Sequence, residues 1–114
     1  MRAWKAGLTA LLLTAPALAG PVDTANPFNA RLLQLRPADR QGALSRAIVD
    51  DGQHCGRVLA SAYRGPYGNL GMWVVRCVKP GGDYAVFTGP DGSVQVRPCA
   101  DLVKLRLPAC GKMG

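Results

Sequence analysis

The apolar positions of this chain change their spacing once, from a helical period to an alternating one. One helical face is indicated by four apolar residues three or four positions apart: Ala43, Leu44, Ala47 and Ile48. Pro37 predicts where this helix begins, because proline suits the first helical turn and the residue before a proline avoids the α region. Gly52 predicts where it ends, as a C-terminal cap.

After this helix the pattern predicts four short β-strands. Alternating, β-branched or aromatic residues occupy positions 55–63, 72–78, 84–88 and 93–97. Glycine, proline and aspartate dominate the reversals between them, at 64–71, 79–83 and 89–92. Short reversals imply antiparallel pairing, because parallel strands need long crossover connections. The sequence therefore predicts a four-stranded antiparallel meander.

These elements predict an α+β fold in which the N-terminal helix packs on one face of the sheet, since an isolated sheet of this size needs a cover. The single domain is expected to span residues 37–110, with a short tail at 111–114. Residues 20–36 are predicted to be an extended N-terminal arm, although 30–35 also fit a turn of helix whose leucines dock on the same core. Residues 103–107 alternate, which fits either an edge strand or a tail lying on the sheet.

The first nineteen residues have the pattern of a secretory signal peptide. A short basic start is followed by an apolar run, and the small residues of an A-x-A site end at Ala19. The apolar run is shorter than the roughly 20 residues that span a bilayer. We expect cleavage after Ala19 and a soluble periplasmic or secreted product with no transmembrane segment; an uncleaved anchor is the alternative.

Cleavage would leave 95 residues (114 − 19), which allows one small core. The net charge would fall from +7 to +5 (7 − 2) with the loss of Arg2 and Lys5. The remaining basic residues are scattered, unlike the clustered footprint of a nucleic-acid-binding protein. The sequence predicts a basic protein without a nucleic-acid partner.

The cysteines predict two disulfides, because export, small size and an even count favour bridges over free thiols. The four cysteines are Cys55, Cys77, Cys99 and Cys110. The residues opposite Cys55 in the meander lie close to Cys77, so a bridge between these two cysteines is within the roughly 7 Å between α-carbons that a disulfide allows. Cys99 is then left to pair with Cys110. Pairing of Cys77 with Cys99 looks strained if the third strand separates them. The other connectivities remain open.

His54 is the single histidine, and it precedes Cys55. A catalytic Cys–His pair needs both side chains within hydrogen-bond reach, whereas neighbours in a strand point to opposite faces. The chain has no C-x-x-C motif, and its cysteine gaps do not match the close pairs typical of zinc sites. We therefore expect no catalytic residue, no metal and no cofactor.

The reversal at 64–71 is the predicted partner-binding region, because loops carry function more often than strands. Tyr63, Arg64 and Tyr67 lie in or beside it. These three residues are the candidate contacts.

Four motifs carry a resemblance to known proteins. Trp73-Val74-Val75-Arg76-Cys77 reads W-x-V-x-C, and Y-x-V, D-G-S and V-x-x-C follow at 84–86, 91–93 and 96–99. This layout resembles small secreted bacterial proteins of unknown function, and the resemblance implies no activity. The helix followed by a meander is also distantly similar to PepSY-type domains, which implies an exported modulator of an envelope protease. The chain departs from that pattern in its cysteines and in lacking an acidic tract.

Taken together, the sequence predicts an exported, non-catalytic binding or accessory module that recognises a protein or envelope partner. A PepSY-like modulator of an envelope protease is the alternative. An enzyme is the third interpretation, and it would need a cleft that gathers His54 with residues such as Asp50, Asp51 or Tyr67.

Overall fold

A computed structural model describes residues 25–112, which form an α+β fold as predicted. The elements are α1 (Pro27–Gln34), α2 (Pro37–Asp50), β1 (Val58–Tyr67), β2 (Leu70–Cys77), β3 (Asp83–Thr88), β4 (Val94–Pro98) and a 3-10 turn (Cys99–Asp101). The signal peptide predicted at 1–19 lies outside the described residues. Within them, neither helix is long and apolar enough to cross a membrane.

The prediction of an extended arm at 20–36 is wrong over Pro27–Gln34, which is helix α1. Asn26 caps this helix, because its side-chain oxygen accepts a hydrogen bond from the Asn29 backbone N–H at 2.9 Å. Pro27 follows at the first helical position. The alternative of a short helix docked on the same core is confirmed: Leu32 is buried and Leu35 is partly buried against the core, whereas Leu33 is exposed.

Helix α2 begins at Pro37 and buries Leu44 and Ile48, as predicted. Gly52, with φ +94°, turns the chain out of the helix. The Gln53 N–H donates to the Ile48 carbonyl and the Gly52 N–H to the Val49 carbonyl, which together form a Schellman cap.

The four strands pair in the order β1-β2-β3-β4, the predicted antiparallel meander. The reversal predicted over 64–71 is wrong for most of its length: β1 continues to Tyr67 and β2 begins at Leu70, so only Gly68 and Asn69 form the turn. Strand β1 carries two register irregularities, between Val58 and Ala60 and between Tyr63 and Gly65.

Each face of the sheet has its own cover. On one face, both helices pack on alternate residues of the strands, among them Trp73, Val75 and Val86. On the other face, Met72, Val74, Ala85 and Phe87 meet Leu102 and Cys110 of the C-terminal segment. This confirms a tail lying on the sheet. The edge-strand alternative is wrong: the segment after Cys99 forms tight turns that bury Leu102 and leave Val103 78% exposed.

Both predicted disulfides are present. Cys55 bonds to Cys77 with 5.1 Å between the α-carbons, and Cys99 bonds to Cys110 with 5.7 Å. Strand β3 lies between β2 and β4, which separates Cys77 from Cys99 as expected. The first bridge ties the start of β1 to the end of β2, and the second holds the C-terminal segment on its face of the sheet.

Candidate functional site

The three residues predicted to bind a partner do not converge in the structure. Tyr63 lies on the helix-covered face against Trp73, whereas the Tyr67 ring packs against Phe87 on the opposite face. Residues four apart in a regular strand share a face, but the register shift between Tyr63 and Gly65 reverses the alternation. A bulge of this kind leaves no signal in the hydrophobic period, so the sequence could not show it.

Tyr63 and Arg64 each hold parts of the fold together. The Tyr63 hydroxyl accepts a hydrogen bond from the Asn29 side-chain amide at 3.1 Å, and its ring centroid lies 4.9 Å from that of Trp73. The Arg64 guanidinium donates to the carbonyls of Cys110 (2.9 Å) and Lys112, so it fastens the C-terminal segment. Tyr67 is 40% exposed and is the aromatic residue of the three that stands out at the surface.

His54 and Cys55 form no reactive pair. The Cys55 sulfur is bonded to Cys77. The His54 side chain is exposed, and its backbone carbonyl accepts a hydrogen bond from the Tyr84 hydroxyl at 3.1 Å. No group of three or more histidine, cysteine or acidic residues suited to a metal ion occurs between residues 25 and 112.

A buried polar cluster around Asn29 is structural, although sequence reasoning missed it. The Asn29 side-chain oxygen accepts hydrogen bonds from Trp73 Nε1 at 2.8 Å and from the Thr88 hydroxyl at 2.9 Å. Asn26 adds bonds from its amide to the carbonyls of Asn69 and Thr88. Because Asn29 is buried and both polar atoms of its side chain already have partners within the protein, we assign the cluster a structural role. The cap signal Asn26-Pro27 was the available clue.

One flank of α2, the side that carries Ala43, Ala47 and Asp50, forms a groove with β4. At 100° per residue, positions 43, 47 and 50 lie on one side of the buried residues Leu44 and Ile48, and positions 38, 41 and 45 lie on the other. The first flank faces Val94 across an open groove of about 340 Å³, whose lining residues are Ala43, Arg46, Ala47, Asp50, Asp51 and Val94. Alanines leave this room because their side chains end at Cβ.

An apolar pocket of about 30 Å³ adjoins the groove and shares Ala43, Ala47 and Val94 with it. Its other walls are Phe28 and Leu32 of α1, Leu44 of α2, and Val86 and Thr88 of β3. The groove therefore has an apolar floor at one part and charged side chains at another.

Two other clefts are less suited to a partner. A cleft of about 530 Å³ includes Asp83 and Tyr84, but Asp83 pairs with Arg76 and the Tyr84 hydroxyl bonds to the His54 carbonyl. A cleft of about 260 Å³ lies on the other flank of α2, beside β1. There Ser45 donates to the Cys55 carbonyl, and the neighbouring strand is irregular.

The exposed edge of β4 runs beside the groove and is regular. Its pairing with β3 shows no register shift from Val94 to Pro98. The Ser93 carbonyl accepts from the Gly89 N–H at 2.8 Å, so the alternation of an antiparallel ladder turns the N–H and C=O groups of Val94 and Val96 outward. Arg97 Nη1 donates a hydrogen bond to the Val96 carbonyl at 3.0 Å.

The charges of the groove are not neutralised internally. No basic side chain within residues 25–112 forms an ion pair with Asp50 or Asp51. Arg46 is directed away from Asp50, since a Cβ placed on Gly42 would lie 3.9 Å from Arg46 Nη1. The two carboxylates stand at the C-terminus of α2, where the helix dipole adds negative potential.

Comparison of the chain with protein-family models, with curated proteins and with solved structures returns no match.

Proposed function

We propose that this chain is an exported, non-catalytic binding or accessory module of the periplasm or envelope, and that the groove between α2 and β4 is its partner-binding surface. The observation that carries the proposal is the groove itself: an open apolar and charged channel beside a regular sheet edge. An edge with outward N–H and C=O groups is a ready template for a partner backbone. The predicted signal peptide and the two disulfides support export.

A non-catalytic role is supported by the chemistry of the side chains. All four cysteines are in disulfides, so none offers a thiolate nucleophile. His54 is absent from the linings of the four clefts described above, so none of these clefts gathers it with Asp50, Asp51 or Tyr67.

The test combines fractionation with affinity capture from the native host. We expect the mature chain to begin at Gly20, to reside in the periplasm or medium, and to retain a partner from that fraction. Capture is repeated at low and high salt, because a surface contact made only by net charge weakens as salt screens it. A chain that stays in the cytoplasm, or that retains nothing at any salt concentration, would refute the proposal.

The order of the elements favours a second candidate, a PepSY-like modulator of an envelope protease. A helical segment followed by an antiparallel meander is the arrangement on which that resemblance rests. This candidate predicts that deleting the gene changes the degradation of envelope proteins. Unchanged degradation rates in the deletion strain would remove it.

A further inference from the structure

We infer that the occupant of the groove is an extended peptide segment of a partner protein, paired with β4 as a fifth strand and carrying a basic side chain opposite Asp50 and Asp51. This inference rests on the proposed function and names the chemistry of the partner. Three features of the described residues carry it: the free edge, the room above it and the charge beside it.

The exposed edge of β4 favours a partner with an extended backbone. The N–H groups of Val94 and Val96 and the carbonyl of Val94 point outward with no partner in the part of the chain that the structure describes. Strand addition satisfies such groups with backbone hydrogen bonds. The opposite edge, β1, is interrupted by two register shifts, and bulges of this kind protect an edge from pairing. β4 is therefore the edge on which a fifth strand fits.

The space between β4 and α2 determines which side chains of the added fifth strand fit. Alternate residues of an added strand would point toward α2, into the space bounded by Ala43, Ala47 and Val94. An apolar side chain fits there because the adjoining pocket is lined almost wholly by apolar groups.

The charge beside the groove favours a basic residue in the added strand, two positions from the apolar residue that fills the groove. Residues two apart in a strand are separated by about 6.6 Å, and Ala47 and Asp51 by about 6 Å along the helix axis. A lysine or arginine there would meet two carboxylates that have no ion pair of their own within residues 25–112. The local charge thus favours a basic segment, although the whole chain is basic.

The experiment uses a phage-displayed library of random linear ten-residue peptides, selected on residues 20–114 with both disulfides formed. We expect enriched peptides to place a lysine or arginine two positions from an apolar residue. A synthetic copy of one enriched peptide is then titrated into the ¹⁵N-labelled protein. Amide shifts should concentrate on Ala43, Ala47, Val94 and Val96.

Two alanines of α2 provide matched variants. Ala47→Leu fills the groove, whereas Ala38→Leu makes the same change on the flank beside β1. We expect Ala47→Leu to weaken the synthetic peptide at least tenfold and Ala38→Leu to leave its affinity within twofold. The double variant Asp50→Asn/Asp51→Asn should also weaken it, with a smaller dependence on salt. Amide spectra of each free variant verify that the fold is retained.

Several results would overturn the inference. These are a selection that enriches no peptide, shifts that map away from β4, or equal affinity for the Ala47→Leu and Ala38→Leu variants. Sedimentation of the free protein gives another: a dimer whose β4 amides shift with concentration would assign the edge to a second copy of the chain. Partner capture from the native fraction at equal yield by the wild-type chain and Ala47→Leu would remove the groove as the partner-binding surface, while the role of an exported binding or accessory module would stand.

Discussion

Asn29 shows how one buried side chain can fix a helix on a sheet. Its side chain is 1% exposed, and it joins α1 to Tyr63 of β1, Trp73 of β2 and Thr88 of β3. The contact is close, because a Cβ placed on Gly71 would lie 2.3 Å from the Asn29 side chain. A glycine is therefore required where this amide crosses the sheet.

We predict that Asn29→Ala lowers the free energy of unfolding by about 3 kcal/mol. The change leaves the Trp73 N–H and the Tyr63 hydroxyl without their protein partner, and an unsatisfied buried group costs about 1–3 kcal/mol. Urea unfolding followed by tryptophan fluorescence measures the difference. Gln34→Ala, an exposed site on the same helix, is the control and should change stability by less than about 0.5 kcal/mol. Equal midpoints for Asn29→Ala and the wild-type chain would contradict this role.

Asp91 carries a second prediction at this scale. The Ser93 hydroxyl and then the Ser93 backbone N–H, at 3.0 Å, donate to its carboxylate and hold its pKa below the usual range. Because the folded pKa lies below the unfolded one, this turn contributes stability above the unfolded pKa and loses it as pH falls through the folded pKa.

The Asp91 carboxyl carbon can be followed by ¹³C NMR during an acid titration. We expect its midpoint to rise in Ser93→Ala, and to rise only partly because the backbone N–H remains. Asp39, which lies away from this turn, serves as the internal reference. An unchanged Asp91 midpoint in the variant would show that the hydroxyl has no effect on the carboxylate.

The cysteine pairing was predictable from the sequence, whereas the roles of Tyr63, Arg64 and Asn29 were not. Pairing of Cys55 with Cys77 required only the order of strands and the position of a turn. The roles of the other residues depend on a single-residue bulge and on contacts across more than thirty positions of sequence. Neither leaves a periodic pattern, so both become visible only in three dimensions.

At the scale of elements, α2 and the four strands could be predicted from the spacing of apolar residues and from the glycines and prolines between them. Helix α1 could not be predicted in this way. Helix α1 has eight residues, of which Leu32 is the one buried apolar side chain. A helix this short is marginal alone, so its stability comes from its cap, from Asn29 and from Arg40. The Arg40 guanidinium donates to the carbonyls of Leu32, Leu33 and Leu35 at the end of α1.

The C-terminal segment allows a test that separates its two sequence interpretations. Leu102 is fully buried against Met72, Val74, Ala85 and Phe87, whereas the adjacent Val103 is exposed. We predict that Leu102→Ala lowers the free energy of unfolding by about 2–5 kcal/mol, because it removes methyl groups and leaves a cavity. Val103→Ala should change it by less than about 0.5 kcal/mol.

Urea unfolding of the two variants under identical conditions provides the comparison. If residues 103–107 instead formed an edge strand with Val103 and Leu105 inward, the order would be reversed and Val103→Ala would be the more damaging change. An outcome of that kind would contradict the packing of this segment.

At the scale of the whole molecule, the two faces of the sheet have unequal support. The helix-covered face has a larger apolar cluster, while the opposite face relies on a few residues of an irregular segment held by Arg64 and by the Cys99–Cys110 bridge. The groove lies on the better supported side, between two elements that the larger core positions. We therefore expect a binding surface on that side to keep its geometry when the C-terminal segment loosens.

This asymmetry predicts how the two disulfides differ when they are removed singly. Each bridge stabilises the folded state by about 3 kcal/mol because it reduces the conformational entropy of the unfolded chain, and the longer loop closed by Cys55–Cys77 gives slightly more. Together they are comparable with the net stability of a small domain, about 5–15 kcal/mol. We therefore expect full reduction to lower the thermal midpoint steeply. Cys99→Ala/Cys110→Ala should remain folded, with amide hydrogen exchange accelerated at Leu102 and its neighbours and little changed at Ile48 in the helix-covered core.

Circular dichroism melting of the wild-type chain with and without reductant, and exchange measured on the double variant, test both parts. The oxidised wild-type chain should take up no iodoacetamide until it is reduced and denatured, and then one at each of its four cysteines. A chain that keeps its melting temperature after all four thiols have been alkylated would show that the core is sufficient without covalent support. In that case the two bridges could no longer be counted among the contributions that keep this small core folded.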